Sequence, residues 1–229
     1  MRIHPFPLFE QFRDLLDIHF LARGDSVGSD DAIARLTGAS SLASLQQMHG
    51  NRAIILRSDS RRSEQADALA TDKSGLTLTI RFADCQNFLV YAPEKNVVCL
   101  IHAGWRGLRS GIIANAFALL RSEWSIDPEE TFVAAGPSLC VSCATFMDPA
   151  KEVPELSEYI DGRCIDLRRA ADDQIRYLGV PASQCARLFG CTRCSPDLYW
   201  SFRGGDREAV KSGKVNCLAV TLAGRGICA

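Results

Sequence analysis

"QNFLVYAPEKNVVCLIHAG", residues 86–104, reads as two apolar strands around a tight polar loop. If Pro93 to Asn96 form that loop, Ala92 faces Val97, and continuing the same pairing sets His102 opposite Asn87. Cys85, two residues from Asn87, then points to the same face as His102. Diagonal neighbours on antiparallel strands have Cβ atoms roughly 7 Å apart, close enough for a thiol and an imidazole to share one ligand. A slip of one residue would put them on opposite faces, so the loop decides the chemistry together with the fold.

Outward from the hairpin, the pattern alternates. "LTLTIRFADC" before it joins "FLVYA" in one long strand region, and "RGLRSGIIANAFALLRSEW" after it has the periodicity of an amphipathic helix. "TFVAAGP" reads as a strand, "IDLRRAADDQIRYLGV" as a helix ended by Gly179, and "KVNCLAVTLAG" as a closing strand. Near the start, "LFEQFRDLLDIHFLA" reads as a helix or a helix plus a strand ending at Gly24. "RGDSVGSDDAIARLTGASS" is a polar loop around a short helix, and a strand falls at 52–57. Hairpins are as evident as crossovers. The expected fold class is therefore α+β, a sandwich of mixed sheets and not a doubly wound parallel sheet, in a single domain over residues 1–229.

A chain of 229 residues that is 47% hydrophobic can bury one ample core. With 26 basic and 27 acidic residues it offers no general electrostatic pull toward nucleic acid or anionic membrane, so neither is an expected partner. No apolar run approaches the roughly 20 residues of a spanning helix, and "MRIHPFPLFEQFRD" has no core of signal-peptide length. The expected compartment is the cytoplasm. There, ten cysteines mean buried thiols, metal ligands or a nucleophile more often than disulfides. Cys99 and Cys217 fall inside apolar strands and are expected to be core.

A thiol and an imidazole on one face are two zinc ligands or half of a nucleophilic site, so Cys85 and His102 are the catalytic candidates either way. Of the four histidines, His4 and His19 lie near the terminus. His49 in "QQMHGN" remains, either as a turn residue before glycine or as a third ligand. His49, Cys85 and His102 together would leave tetrahedral zinc one open position. In "HAGWRG", residues 102–107, Ala103 and Gly104 let the chain leave the strand, Gly107 opens the helix, and Arg106 stands beside its positive end, a setting for phosphate. Two Cys-x-x-Cys pairs, 140/143 and 191/194, have the internal spacing of zinc ligands. The gap between them far exceeds the roughly 15–20 residues of a zinc ribbon, and three readings stand: a structural zinc on four thiolates, a redox dithiol at 191/194, and buried, unlinked cysteines, which are placed first.

"QMHG", "ADALAT", "ADC", "HAGWRG", "GPSLCVSC" and "CTRCSPDLYWSFR", in this order, resemble the YfiH family of laccase-domain proteins. That family was once described as polyphenol oxidases or multicopper laccases and is now regarded as zinc-dependent purine nucleoside phosphorylases with adenosine deaminase activity. The resemblance implies an α/β/β/α sandwich related to the toxin-type cysteine hydrolases, with metal ligands at His49, Cys85 and His102. It also implies substrate or phosphate contacts at Arg23, in a segment similar to the family's Phe-Thr-Thr-Arg, and at Gln47, Arg106 and Arg203. This chain departs from the pattern in several places. Ser142 to Phe146 replace the usual Cys-Cys-Tyr-Glu-Val, Gln86 stands where proline follows the cysteine, and the second arginine after Arg203 is missing.

Four histidines and no His-x-His are too few for a multicopper oxidase, whose ligand sets are dominated by imidazole. No His-x-Glu of the cytidine-deaminase type occurs either. The expected function is phosphorolysis of adenosine or inosine, with purine nucleosides and phosphate as partners, zinc as cofactor ahead of copper, and adenosine deamination as a second activity. Two alternatives stand beside it: a metal-free cysteine hydrolase using Cys85 and His102, and a zinc-binding module that has lost turnover, suggested by the altered "SCATF" segment. Asp84, Asn87 and Ser142 remain open as the group that carries a proton.

Overall fold

The computed structural model describes residues 5–223, so His4 and Cys228 lie outside the described residues. In chain order the elements are β1 (Leu16–Leu21), α1 (Asp30–Thr37), β2 (Ser41–Gln46), β3 (Ala53–Ile55), β4 (Ser60–Gln65), β5 (Ala68–Thr71), β6 (Leu76–Phe82), β7 (Gln86–Ala92) and β8 (Val97–Ala103). There follow α2 (Trp105–Arg109), α3 (Ile112–Trp124), β9 (Phe132–Ala135), α4 (Pro149–Glu152), β10 (Ile160–Asp161), β11 (Cys164–Ile165), α5 (Leu167–Leu178), β12 (Cys185–Arg187), α6 (Arg207–Lys211) and β13 (Asn216–Leu222).

Two mixed sheets, in the orders β1-β13-β6-β2-β4 and β12-β9-β7-β8-β5-β3, carry the architecture. Strand alternation sorts each strand's residues between two cores. Leu89 and Tyr91 of β7 and Val98 and Leu100 of β8 join Leu78 and Ile80 of β6 and Leu218 and Val220 of β13 between the sheets. The opposite face of β7 and β8, with Phe88, Val90, Cys99 and Ile101, packs on Ile112, Ala116 and Phe117 of α3 and Ala171 and Ile175 of α5. On the other outer surface, Ile33 of α1 covers Leu42, Cys217 and Ala219. The result is the α/β/β/α sandwich. Cys99 and Cys217 are core, as their apolar surroundings implied.

The hairpin has the expected register: Ala92 pairs with Val97 and Asn87 with His102. The "long strand region" before it does not exist as one strand. Its first part, β6, lies in one sheet and its second, β7, in the other, and the chain crosses between them through Ala83, Asp84 and Cys85. Asp84 makes the turn at φ +92°. The expected long helix is likewise divided, since Gly111 at φ +83° separates α2 from α3. Gly107 does not open the helix, which starts two residues earlier with Gly104 as its cap. At the N-terminus the helix-plus-strand reading holds, as a short 3-10 helix over Pro7–Phe12 and then β1, which ends at Leu21 before Gly24.

Leu100 is completely buried between the sheets and paired with Leu89 and Leu69. Leu100→Ala should destabilise the fold by about 3 kcal/mol, the usual loss for an aliphatic truncation in a packed core. Urea unfolding should show a lower midpoint with an unchanged slope.

Candidate metal centre and cleft

The crossing between sheets brings chain ends together at one end of the sandwich. His102 and Asn87 continue the inter-sheet faces of β8 and β7 beyond the apolar core. Cys85 arrives from the crossing, and His49 from the loop after β2. One donor atom from each of His49, Cys85 and His102 lies within 4.8 Å of the others. The two imidazole rings meet edge to face, with centroids 4.9 Å apart.

A carboxylate that the sequence reading missed organises this trio. Asp67, just before β5, is 1% exposed. It accepts the backbone N–H groups of Met48 at 3.2 Å, His49 at 2.9 Å and Gly50 at 2.7 Å. It also accepts His102 Nδ1–H at 2.9 Å. One buried anion thereby holds the His49 loop and sets the His102 tautomer, leaving Nε2 free to act as a ligand. The signal was in the sequence: "ADALAT" puts a lone acid at the head of an apolar strand.

Burial pushes the Asp67 carboxyl up, but the His102 hydrogen bond and the backbone N–H donors outweigh it and hold the group below the usual range. Burial likewise pushes the Cys85 thiol up, and the charge and hydrogen bonds of His102 and His49 overcome this, bringing it to about 6. Burial pushes His102 down, but Cys85 and Asp67 raise it to about 9. The pair thus favours thiolate beside imidazolium. A divalent cation at the same position would replace the imidazolium proton as the thiolate's partner.

The three donors suit zinc. They comprise one soft thiol and two imidazoles, and a carboxylate orients one of them from behind. Gly104 leaves the space they need, because a Cβ there would stand 3.0 Å from Cys85 Sγ and 3.2 Å from His49 Cδ2.

A cleft of about 560 Å³ opens in front of the trio. Its basic lining residues are Arg62, Arg81, Arg106, Arg203 and Lys211, against a single acid, Asp84. That acid is already saturated, accepting hydrogen bonds from Thr192 at 2.8 Å, Ser201 at 2.6 Å and the Arg203 backbone at 2.7 Å. Arg81 and Lys211 are paired with Asp30 and Glu208, so the positive charge that no carboxylate pairs among the described residues comes from Arg62, Arg106 and Arg203, and it makes the pocket locally cationic in a chain of formal charge -1. Arg62 enters through a bulge in the β2–β4 pairing, which runs from Ser44–Arg61 directly to Leu45–Glu64. The sequence reading did not single out Arg62, Arg81 or Lys211.

The other expected contacts divide. Arg106 lines the cleft and stacks on Trp105 at 4.1 Å. Arg203 lines it as well, with its guanidinium over Phe146 and bonded to the Thr145 carbonyl. That partner is backbone, so the altered "SCATF" segment can still supply it. Gln47 reaches the cleft wall, but its amide is fully engaged by Arg81, donating to the carbonyl at 2.7 Å and accepting the N–H at 2.8 Å. Arg23 is not brought to the cleft. Its guanidinium pairs with Asp206, donates to the Tyr199 carbonyl and lies 3.9 Å over Trp200. Gln86, in the position of the family's proline, ties the start of β7 to the Leu167 carbonyl. Of the three open proton carriers, Asp84 is saturated and Asn87 is buried against Gly136, while Ser142 lies on a loop that also bears Cys140 and Cys143.

The cysteines at 140/143 and 191/194 are free thiols, with Cys143 and Cys191 buried, but the spacing did not indicate that all four lie within 4.8 Å of one another. The gap between the pairs misled because it was measured along the chain. β9 and β12 run parallel and adjacent, so the loops that follow them emerge together.

Fold and cleft define an α/β/β/α protein with a thiol and imidazole centre. A family model described as multi-copper polyphenol oxidoreductase laccase matches residues 29–221, and the chain belongs to that family. Purine nucleoside phosphorylase YlmD of Geobacillus stearothermophilus is 32% identical over 148 residues, 60% of this chain and 54% of that protein. A protein named adenosine deaminase RL5, from an unknown prokaryotic organism, is 28% identical over 174 residues, 71% of this chain and 65% of that one. The matched stretches thus span about half to two-thirds of these relatives' lengths. The crystal structure of the hypothetical protein YfiH of Bacillus licheniformis superposes with a TM-score of 0.78 over 97% of this chain and 100% of that one, at 19% identity.

Asp67→Asn keeps the shape but weakens the anion that four donors share. It should reduce zinc affinity about 10–100-fold, the usual effect of losing a ligand's supporting partner. Competition with a chromophoric chelator measures this, and an unchanged far-UV spectrum would separate it from unfolding.

Proposed function

We propose that this chain is a zinc-dependent purine nucleoside phosphorylase, acting on adenosine and inosine, with adenosine deamination as a second activity. The observation that carries the reading is the meeting of His49, Cys85 and His102 at the wall of a cationic cleft. The relatives named for these two activities support it. His49, Cys85 and His102 would hold the zinc, which supplies concentrated positive charge for an oxyanion or a polarised water.

The chain's own residues do the rest. Arg62 and Arg106 have no carboxylate partner among the described residues and can neutralise phosphate. Phosphorolysis breaks the bond between ribose C1′ and the purine nitrogen; the electron pair leaves with the purine and a phosphate oxygen bonds to C1′. The proton that hydrogen phosphate gives up ends on the departing purine nitrogen, and the cation-like carbon is stabilised most where the barrier is highest by the anion that the arginines hold beneath it. Phe202, 37% exposed on the cleft wall, offers an aromatic ring against which a purine can pack. Nucleic acid and membrane are not among the proposed partners. No helix among the described residues is long and apolar enough to cross a membrane.

A second reading has its own geometric support. Cys85, His102 and Asp67 stand in the order of a nucleophile, a base and its orienting acid. In the absence of metal they could serve a cysteine hydrolase.

Zinc-loaded protein incubated with adenosine and phosphate should give adenine and ribose 1-phosphate, and without phosphate a smaller yield of inosine, both read by chromatography. His102→Ala should abolish both. Formation of neither product by wild-type protein at one zinc per cleft overturns the proposal. Rapid iodoacetamide alkylation of Cys85 that zinc does not slow would favour the hydrolase.

A further inference from the structure

A second thiol cluster stands apart from the cleft trio and shares no ligand with it. Cys140 and Cys143 lie on the loop after β9, Cys191 and Cys194 on the loop after β12. The parallel pairing of those strands sends both loops from the same edge, and a further bridge between Ser138 and Cys191 carries the contact up to the first cysteine of each pair. Cys143 and Cys194 have sulfurs 3.5 Å apart, Cys140 and Cys194 3.9 Å, and all four fall within 4.8 Å. Four thiolates at about 2.3 Å from a tetrahedral zinc have sulfurs about 3.8 Å apart. All four cysteines are free of disulfides.

The surroundings are built to keep this arrangement. The Cys140 backbone N–H donates to Cys191 Sγ at 3.3 Å. Arg168 of α5 donates to the Ser138 carbonyl at 2.6 Å and the Gly190 carbonyl at 2.7 Å, fastening the two loops just before their cysteines. Its positive charge also suits a site that carries four thiolates around one divalent ion. Cys143 and Cys191 are buried, while Cys140 and Cys194 close the solvent side.

We propose that Cys140, Cys143, Cys191 and Cys194 bind a structural zinc ion that cross-links two walls of the cleft. Each thiol releases its proton to solvent as its sulfur bonds the metal. Ser138 and Leu139, just before the first pair, line the cleft, as does Arg203 beyond the second. The absence of an open coordination position makes this centre structural, in contrast to the trio.

Metal content and zinc X-ray absorption test the assignment on intact protein. Wild-type chain should carry two zinc ions. Cys85→Ser/His102→Ala should retain one, with a shell of four sulfurs at about 2.3 Å. Cys140→Ser/Cys194→Ser, at the two more accessible members, should remove that ion and lower the melting temperature. If wild type and Cys85→Ser/His102→Ala both carry a single zinc with four sulfurs, the cleft centre fails and this one stands. The proposal is overturned if Cys85→Ser/His102→Ala is zinc-free, if its shell contains nitrogen or oxygen, if iron replaces zinc, or if mass mapping of wild-type protein finds a disulfide among the four. Should either variant fail to fold, the wild-type zinc count and sulfur coordination number decide alone.

Discussion

The buried carboxylate of Asp67 is the constraint on which the centre depends. An acid in an apolar setting is tolerated only when hydrogen bonds replace its water, and this one takes three backbone N–H groups and an imidazole. Those donors come from two segments remote in sequence, so satisfying the anion and assembling the trio are one event. His49 sits at φ +59°, a left-handed conformation that a residue with a side chain adopts at a cost of order 1 kcal/mol or more. In that conformation the N–H groups of Met48, His49 and Gly50 converge on Asp67. Strain in the ligand loop and satisfaction of the carboxylate therefore offset each other.

A second strained residue has the matching role on the opposite side. Asp84 lies at φ +92°, where the chain leaves one sheet for the other. Its carboxylate gathers Thr192, Ser201 and the Arg203 backbone, and its carbonyl accepts the Leu139 N–H at 3.1 Å. The sheet crossing thus presents Cys85 and anchors the loops that form the far wall. Asn216 reinforces that wall, bridging the Trp200 backbone to the Phe82 carbonyl. Arg81 and Lys211 are paired with Asp30 and Glu208, so the charge the cleft offers a ligand is carried by Arg62, Arg106 and Arg203, which the near-neutral total of the chain conceals.

What was legible in the sequence follows from how local its cause is. The β7–β8 register could be read because a four-residue loop fixes it, and with it the shared face of Cys85 and His102. The division of the long apolar run into β6 and β7 could not, since both halves are apolar and only the left-handed Asp84 marks the break. Arg62 escaped notice because a polar edge strand, β4, carries it and a bulge turns it inward. The clustering of the four cysteines was not legible for a related reason. Spacing along a chain predicts a zinc ribbon only when the ligand pairs are hairpins of one unit, whereas here a parallel strand pairing closes a gap that holds α4, α5 and three short strands.

The run "HAGWRG" shows how small residues serve the site without touching a substrate. A Cβ at Gly104 would stand 3.0 Å from Cys85 Sγ and 3.2 Å from His49 Cδ2, so these side chains would have to give by a few tenths of an ångström. At Gly107 a Cβ would stand 3.0 Å from the Gly50 carbonyl oxygen, so α2 rests directly on the backbone of the His49 loop. That loop is thereby held from one side by hydrogen bonds to Asp67 and from the other by a helix at backbone distance. Trp105, between the two glycines, packs edge-on against Phe146 at 5.7 Å and leaves its face to Arg106. The alternation of small and large side chains therefore sets how close the donor side chains of His49, Cys85 and His102 come and which direction the arginine faces. An alanine at either glycine would act on the spacing of His49, Cys85 and His102 before it acted on anything in the cleft.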